Sequence, residues 1–275
     1  MPKKNERVEP AGAEKIRRSI FVEFLGISGS GKSTLLSTAV DRLRRQHRVV
    51  FTLEEACRLA FRQTTNDPLW RSLLRFAPAP ISRRNWRHAF NRSQDRYLAI
   101  RATMLSHPEA VEAVMAATRR RRDFEIRPDL VIGWWLTLAA DYSMAKRVVP
   151  PGAALLIDEG FVNRAVSLFG YRFSDADRPD LARYIRSVPV PDLVVHVDAA
   201  PDVAERRMKQ WSSRLADQDL VTRRAFLEGS SLCVAAVLEN LEDAAVHVVR
   251  IPNGNDPVEV AAGLVAKALD RLLLV

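Results

Sequence analysis

The sequence predicts an α/β fold, a five-stranded parallel sheet with helices on both faces and a long helical insertion. Three observations carry this. Five short apolar runs alternate with helical segments along the chain. The first run ends in a glycine-rich stretch that opens an amphipathic helix. A stretch from about residue 57 to 147 then breaks the alternation without any strong strand. Parallel strands need helical crossovers, so such a sheet is covered on both sides.

The elements follow in order. Residues 1–18 form a polar, basic tail, and a single domain covers 19–275. Ser19–Leu25 (SIFVEFL) is the first strand. Lys32–Arg45 is a helix whose Leu35, Leu36, Ala39, Val40 and Leu43 share one face. His47–Leu53 is the second strand. The insertion consists of helices broken near Pro68, at Pro78–Pro80, at His107–Pro108 and at Arg127–Pro128. Ala153–Ile157, Leu193–Val197 and Ala245–Ile251 are the remaining strands. Helices are expected over Asp180–Val188, Asp202–Gln210, Thr222–Glu242 and Asp256–Leu274. Ligands of such sheets bind at the carboxyl ends of the strands, which the insertion would overhang.

Net charge is +9 over 275 residues, and its distribution is uneven. Between Cys57 and Arg127 there are 15 Arg and no Lys against 6 acidic residues. Arginine suits carboxylate or phosphate partners, although a solvated helical surface explains the excess equally well. Two cysteines exclude a disulfide framework and a cysteine metal cluster, and fit a reducing compartment. No signal-type apolar segment opens the chain, and Leu130–Ala140 is about half the length of a membrane span. A cytoplasmic protein without a membrane span is expected.

Gly26-Ile27-Ser28-Gly29-Ser30-Gly31-Lys32-Ser33 matches the phosphate-loop (Walker A) pattern at every fixed position, and Thr34 follows. The glycines let backbone N–H groups surround a phosphate, and Lys32 reaches the β- and γ-oxygens. The Ser33 hydroxyl coordinates Mg²⁺, and the helix N-terminus faces the anion. Mg-ATP is the expected nucleotide. Further on, Leu155-Leu156-Ile157-Asp158-Glu159 is a strand ending in two acids. Asp158 is the second metal-side candidate. Glu159 is a candidate base for an acceptor hydroxyl or a water, with Glu54 at the end of the second strand as its rival. Glu55, beside Glu54, could hold an acceptor by its hydroxyls.

These residues give the chain a resemblance to the thymidylate kinase and deoxynucleoside kinase group of P-loop kinases. The matching segments are Phe24–Thr34, Leu138-Ala139-Ala140-Asp141, and Val197–Arg207 (VDAAPDVAERR). The resemblance implies a nucleotide-kinase-like fold with a lid over about residues 205–222. It implies an arginine over the transferring phosphate, best matched by Arg207, with Arg206, Lys209 and Arg214 nearby. It also places adenine near Pro252-Asn253-Gly254-Asn255. The pattern departs at two positions. Thymidylate kinases carry phosphate-binding arginines where this chain has Tyr142 and Glu159. A carboxylate there repels an acceptor monophosphate, so dTMP is not the expected acceptor.

The expected activity is therefore ATP-dependent phosphoryl transfer to a small-molecule hydroxyl acceptor resembling a nucleoside, nucleotide or sugar. Acceptor-binding candidates are Glu55, Tyr142, Trp135 and Arg164. Trp70, Trp86, Tyr97, Phe124 and Trp134 also lie in the insertion, as core or as stacking surfaces. Two alternatives stay open. The Asp158-Glu159 pair also fits an ATPase that hydrolyses ATP for regulation or assembly. The Arg119–Arg122 run admits a polynucleotide 5′-hydroxyl kinase, the minority reading for a nucleic-acid partner. A homodimer is the assembly to test.

Overall fold

A computed structural model describes residues 18–64, 83–120, 128–209, 220–253 and 257–273. The basic tail, the breaks at Pro68 and Pro78–Pro80, Trp70, Phe124, Arg214, Gly254, Asn255 and most of the lid lie outside the described residues. Five strands form one sheet: β1 Ile20–Leu25, β2 Val50–Thr52, β3 Ala154–Ile157, β4 Leu193–Asp198 and β5 His247–Pro252. Their order is β2-β3-β1-β4-β5 and every pairing is parallel. This is the predicted fold class, a five-stranded parallel sheet with helices on both faces. β1 is central, so both of its faces are buried, and its sequence is apolar throughout except for Glu23.

The first helix, α1 (Lys32–Arg45), has the predicted bounds. It lies with the last helix, α11 (Val258–Leu273), on one face of the sheet. There Leu35, Ala39 and Leu43 meet Val22 and Phe24 from β1 and Val265 and Leu269 from α11. The opposite face carries the larger layer. It comprises α2 (Leu53–Thr64), α6 (Pro128–Lys146), α7 (Phe161–Phe169), α8 (Arg178–Ser187) and α10 (Leu220–Asp243). Phe21 and Leu25, alternating with Val22 and Phe24, point into this layer. Strand periodicity puts Glu23 on the same side.

The insertion is helical as expected. α3 (Arg83–Asn91), α4 (Gln94–Ser106) and α5 (Pro108–Arg120) precede α6. Pro108 opens α5 after the chain leaves the helix at His107, and Pro128 opens α6. Proline lacks the N–H that a first-turn residue leaves unused, so it starts helices and does not continue them. Trp86 and Phe90 of α3 pack against Phe61 of α2, filling the core between these helices. α9 (Pro201–Lys209) and α10 flank the segment expected as a lid. Glu205 of α9 lies 3.5 Å from Arg223 and 3.6 Å from Arg224 of α10, tying the two ends together.

The sequence reading missed α7. Its run FVNRAVSLF is only nine residues long and opens on Gly160 with no side-chain cap, so the sequence carries no local start signal for a helix there.

Candidate active site

The phosphate loop connects β1 to α1, and its shape follows from the glycines at its end. Gly31 has φ 95°, a left-handed conformation that glycine adopts without steric cost. A Cβ there would also collide with the Asn253 amide. α1 has no side-chain cap and no acidic residue in its first turn. Its first N–H groups are therefore left without a carboxylate or hydroxyl from the chain, which is what an anion site requires.

Lys32 is buried, and its Nζ donates to the carbonyls of Gly26 at 2.9 Å and Ile27 at 3.0 Å. Burial lowers its pKa, opposed by the charges of Glu159 and Asp158. The Ser33 hydroxyl donates to Asp158 Oδ2 at 2.6 Å, joining residues that are 125 positions apart. The other oxygen, Asp158 Oδ1, is buried with no hydrogen-bond partner. Burial raises the Asp158 pKa, and the bond from Ser33 and the charge of Lys32 oppose it. A buried carboxylate oxygen without a donor is costly unless a cation or water completes it. Ser33 and Asp158 thus fit a hard, oxygen-preferring divalent ion.

The remaining loop residues are placed as follows. Ser28 and Gly29 are half-buried, and Thr34 is exposed on the first turn of α1. The Ser30 carbonyl accepts from Arg207 Nη1 at 3.2 Å and from Asn253 Nδ2 at 2.5 Å. Arg207 and Asn253 therefore both reach the loop. Arg206 does not: it is exposed and pairs with Asp202 at 2.7 Å, one helical turn away. That geometry corrects the expectation of Arg206 at the nucleotide.

On the other rim, Glu159 pairs with Arg164 of α7 at 3.1 Å. The Arg164 guanidinium also lies 5.9 Å from the Trp134 ring centre. Its charge acts on Lys32 and on Asp158, so the structure brings Arg164 into the site. Glu54 is half-buried at the start of α2, and its charge acts on Asp141 and Arg87. Asp141 is buried on α6 and accepts from Arg87 of α3 at 2.6 Å. Burial raises its pKa and Arg87 opposes this.

Three acceptor-binding candidates take other roles. Glu55 accepts from Arg44 at 2.7 Å and from the Thr52 N–H at 2.8 Å, closing the start of α2. Burial raises its pKa, but these bonds outweigh it and leave the carboxyl below its usual range. Tyr142 is core: its ring lies 5.5 Å from Phe21 and 5.4 Å from Phe161. Trp135 is core as well, with its indole N–H donating to the Tyr184 hydroxyl at 3.2 Å. Long apolar side chains on a helix that packs against a sheet are drawn inward whatever their stacking capacity.

Three residues of the site escaped the sequence reading. Arg87 is one arginine among many in its segment. Asn163 accepts the Gly26 N–H at 3.1 Å from a helix that was not foreseen. Glu23 is fully buried and accepts the N–H groups of Phe161 at 3.0 Å and Val162 at 2.8 Å. A lone acid inside an apolar strand was the available signal, because a buried carboxylate requires partners.

Fold and loop together define a five-stranded parallel α/β domain that carries a phosphate-loop motif at the carboxyl end of its central strand. In comparison with known proteins, no family model matches the sequence and no curated protein matches it. Among solved structures the chain is similar to a deoxyadenosine kinase from M. mycoides, solved with the products dCMP and a flexible dCDP. The TM-score is 0.42 at 10% identity, over 92% of this chain and 100% of that one.

Proposed function

We propose that this chain transfers the γ-phosphoryl group of Mg-ATP to a hydroxyl of a small acceptor that carries no phosphate beside the accepting group. The observation that carries the reading is the Ser33–Asp158 contact at 2.6 Å, with Lys32 buried on the loop and Asp158 Oδ1 left without a donor. Ser33 and Asp158 would hold the magnesium ion. Bound there, the ion would neutralise charge on the phosphate oxygens. Lys32 would exchange its two loop carbonyls for phosphate oxygens, and Arg207, already at the Ser30 carbonyl, would cover the nucleotide from the lid side. Asn253 would hold the loop from the adenine side.

The acceptor's charge is argued from the pairing of the arginines. Arg164 is neutralised by Glu159 and Arg87 by Asp141, so neither offers an uncompensated cation to an acceptor phosphate. Glu54 and Glu159 are the two candidate bases. A neutral polyhydroxy compound, nucleoside-like or sugar-like, fits this balance better than a nucleotide.

The second reading, an ATPase, is favoured by one observation: Glu159 directly follows Asp158 and is half-exposed. Phosphate transfer to a neutral acceptor and to water are measured together in wild type, Glu54→Gln and Glu159→Gln. The transfer reading predicts acceptor-dependent turnover that falls by about 10²- to 10⁴-fold in one of the two variants. Acceptor-free hydrolysis that collapses in Glu159→Gln, with no transfer product, sinks it.

A further inference from the structure

Several helices start at the carboxyl end of the sheet, and the chain treats the N-termini of α1 and α7 differently. α1 leaves its first amides uncapped. α7 has its first amides filled from inside the protein, by a carboxylate carried on β1. Glu23 and the residues it meets are 138 and 139 positions apart, so no local sequence rule produces this cap. The fit is close. Gly160, the residue before α7, has no room for a side chain, because a Cβ there would run into the Glu23 carboxylate. Burial holds the Glu23 pKa up at about 7, against the pull of the Val162 and Phe161 amides and the charge of Arg164.

A buried acid in a central strand is an expensive way to cap a helix of nine residues, and a serine or aspartate at position 160 would do so locally. The position of α7 gives the arrangement a use. Its first turn carries Asn163, which accepts the Gly26 N–H at 3.1 Å, and Arg164, which pairs with Glu159 at 3.1 Å. Gly26 is three residues after Glu23 in the chain. The contacts therefore close a ring from β1 through α7 to the phosphate loop. The same turn holds the acid that follows the metal-side aspartate.

We propose that Glu23 is a positioning residue that fixes the first turn of α7, and through Asn163 and Arg164 fixes the phosphate loop at Gly26 and the carboxylate of Glu159. This rests on the reading that the loop binds Mg-ATP. Glu23 touches neither nucleotide nor acceptor in this account. Because its carboxylate uses the Phe161 and Val162 amides, those amides are unavailable to an acceptor phosphate.

The test is a double-mutant cycle on the full chain. It uses a fluorescent ATP analogue with Mg²⁺, at a temperature far below unfolding, so that affinity does not report the folded fraction. Glu23→Gln keeps the shape but presents an amide N–H₂ to one of the helix N–H groups. It is expected to weaken analogue binding roughly tenfold, and Asn163→Ala similarly. The double variant is expected to be no weaker than the worse single, because both substitutions cut one path. Gly160→Ala, which pushes on the same carboxylate from the other side, should reproduce the loss. Wild-type affinity in Glu23→Gln overturns the proposal, and so do losses that multiply in the double variant. If the wild-type chain does not bind the analogue, the ATP reading itself fails, and that outcome is separate from a failure of Glu23.

Discussion

At the residue scale, the site depends on a few buried polar groups whose costs are met by specific partners. Lys32 and Asp158 are drawn out of water next to one another, and the charge of each opposes what burial does to the other. Glu23 is the extreme case, and it gives a pH signature. Its carboxyl titrates near 4.5 when unperturbed and at about 7 in the folded chain, so between these values the folded state holds a proton that the unfolded state has lost. The group's contribution to stability is complete below 4.5 and is lost as pH rises to about 7. The full shift corresponds to roughly 3 kcal/mol. Chemical denaturation of wild type should show stability falling over this window, and Glu23→Gln should flatten that part of the profile. Identical slopes in the two proteins would contradict the assignment of that proton to Glu23.

At the scale of elements, much of the fold was legible in the chain and the exceptions have physical causes. α1 could be read to the residue because Leu35, Leu36, Ala39, Val40 and Leu43 repeat at helical spacing after a glycine stop. β1, β3 and β4 could be read because parallel strands buried on both faces are nearly continuous apolar runs, and the edge strands β2 and β5 keep shorter runs of the same kind. α7 could not be read, since it is only nine residues long and its cap comes from a distant strand. Tyr142 and Trp135, expected at the acceptor, have buried side chains. A helix between a sheet and further helices buries several of its faces, and the sequence does not say which aromatic faces a ligand. The phosphate loop was legible because its chemistry needs fixed residues at fixed spacing. Its dependence on a left-handed Gly31 can be tested by Gly31→Ala, which adds backbone strain of about 1–2 kcal/mol and a collision with Asn253. Analogue affinity should drop by about tenfold or more with the fold retained by circular dichroism. An unchanged affinity would mean that the loop does not hold the nucleotide in this conformation.

At the scale of the molecule, the charge map takes on a different meaning from the one its sum suggests. The net +9 invites an anionic partner. Yet arginines of the described residues around the sheet are engaged by carboxylates: Arg44 with Glu55, Arg87 with Asp141, Arg164 with Glu159 and Arg250 with Glu242. The exposed pairs among them, Arg44–Glu55 and Arg250–Glu242, add little stability, about 0–1 kcal/mol each. Pairing cancels positive potential at Arg87 and Arg164, next to Glu54 and Glu159. No helix among the described residues is long and apolar enough to cross a membrane. Tyr142 is a buried ring and Glu159 is paired with Arg164, so neither position presents a cation.

The central claim, transfer from Mg-ATP to an acceptor without a phosphate, is tested most directly by ADP release from the purified full chain. The acceptor panel sets nucleosides and sugars against their monophosphates. At least one neutral acceptor should raise ADP release well above the acceptor-free rate. Its monophosphate should do so less, and Asp158→Ala should abolish the rise. ADP release that is the same with and without every acceptor, or that responds to the monophosphates alone, would contradict it.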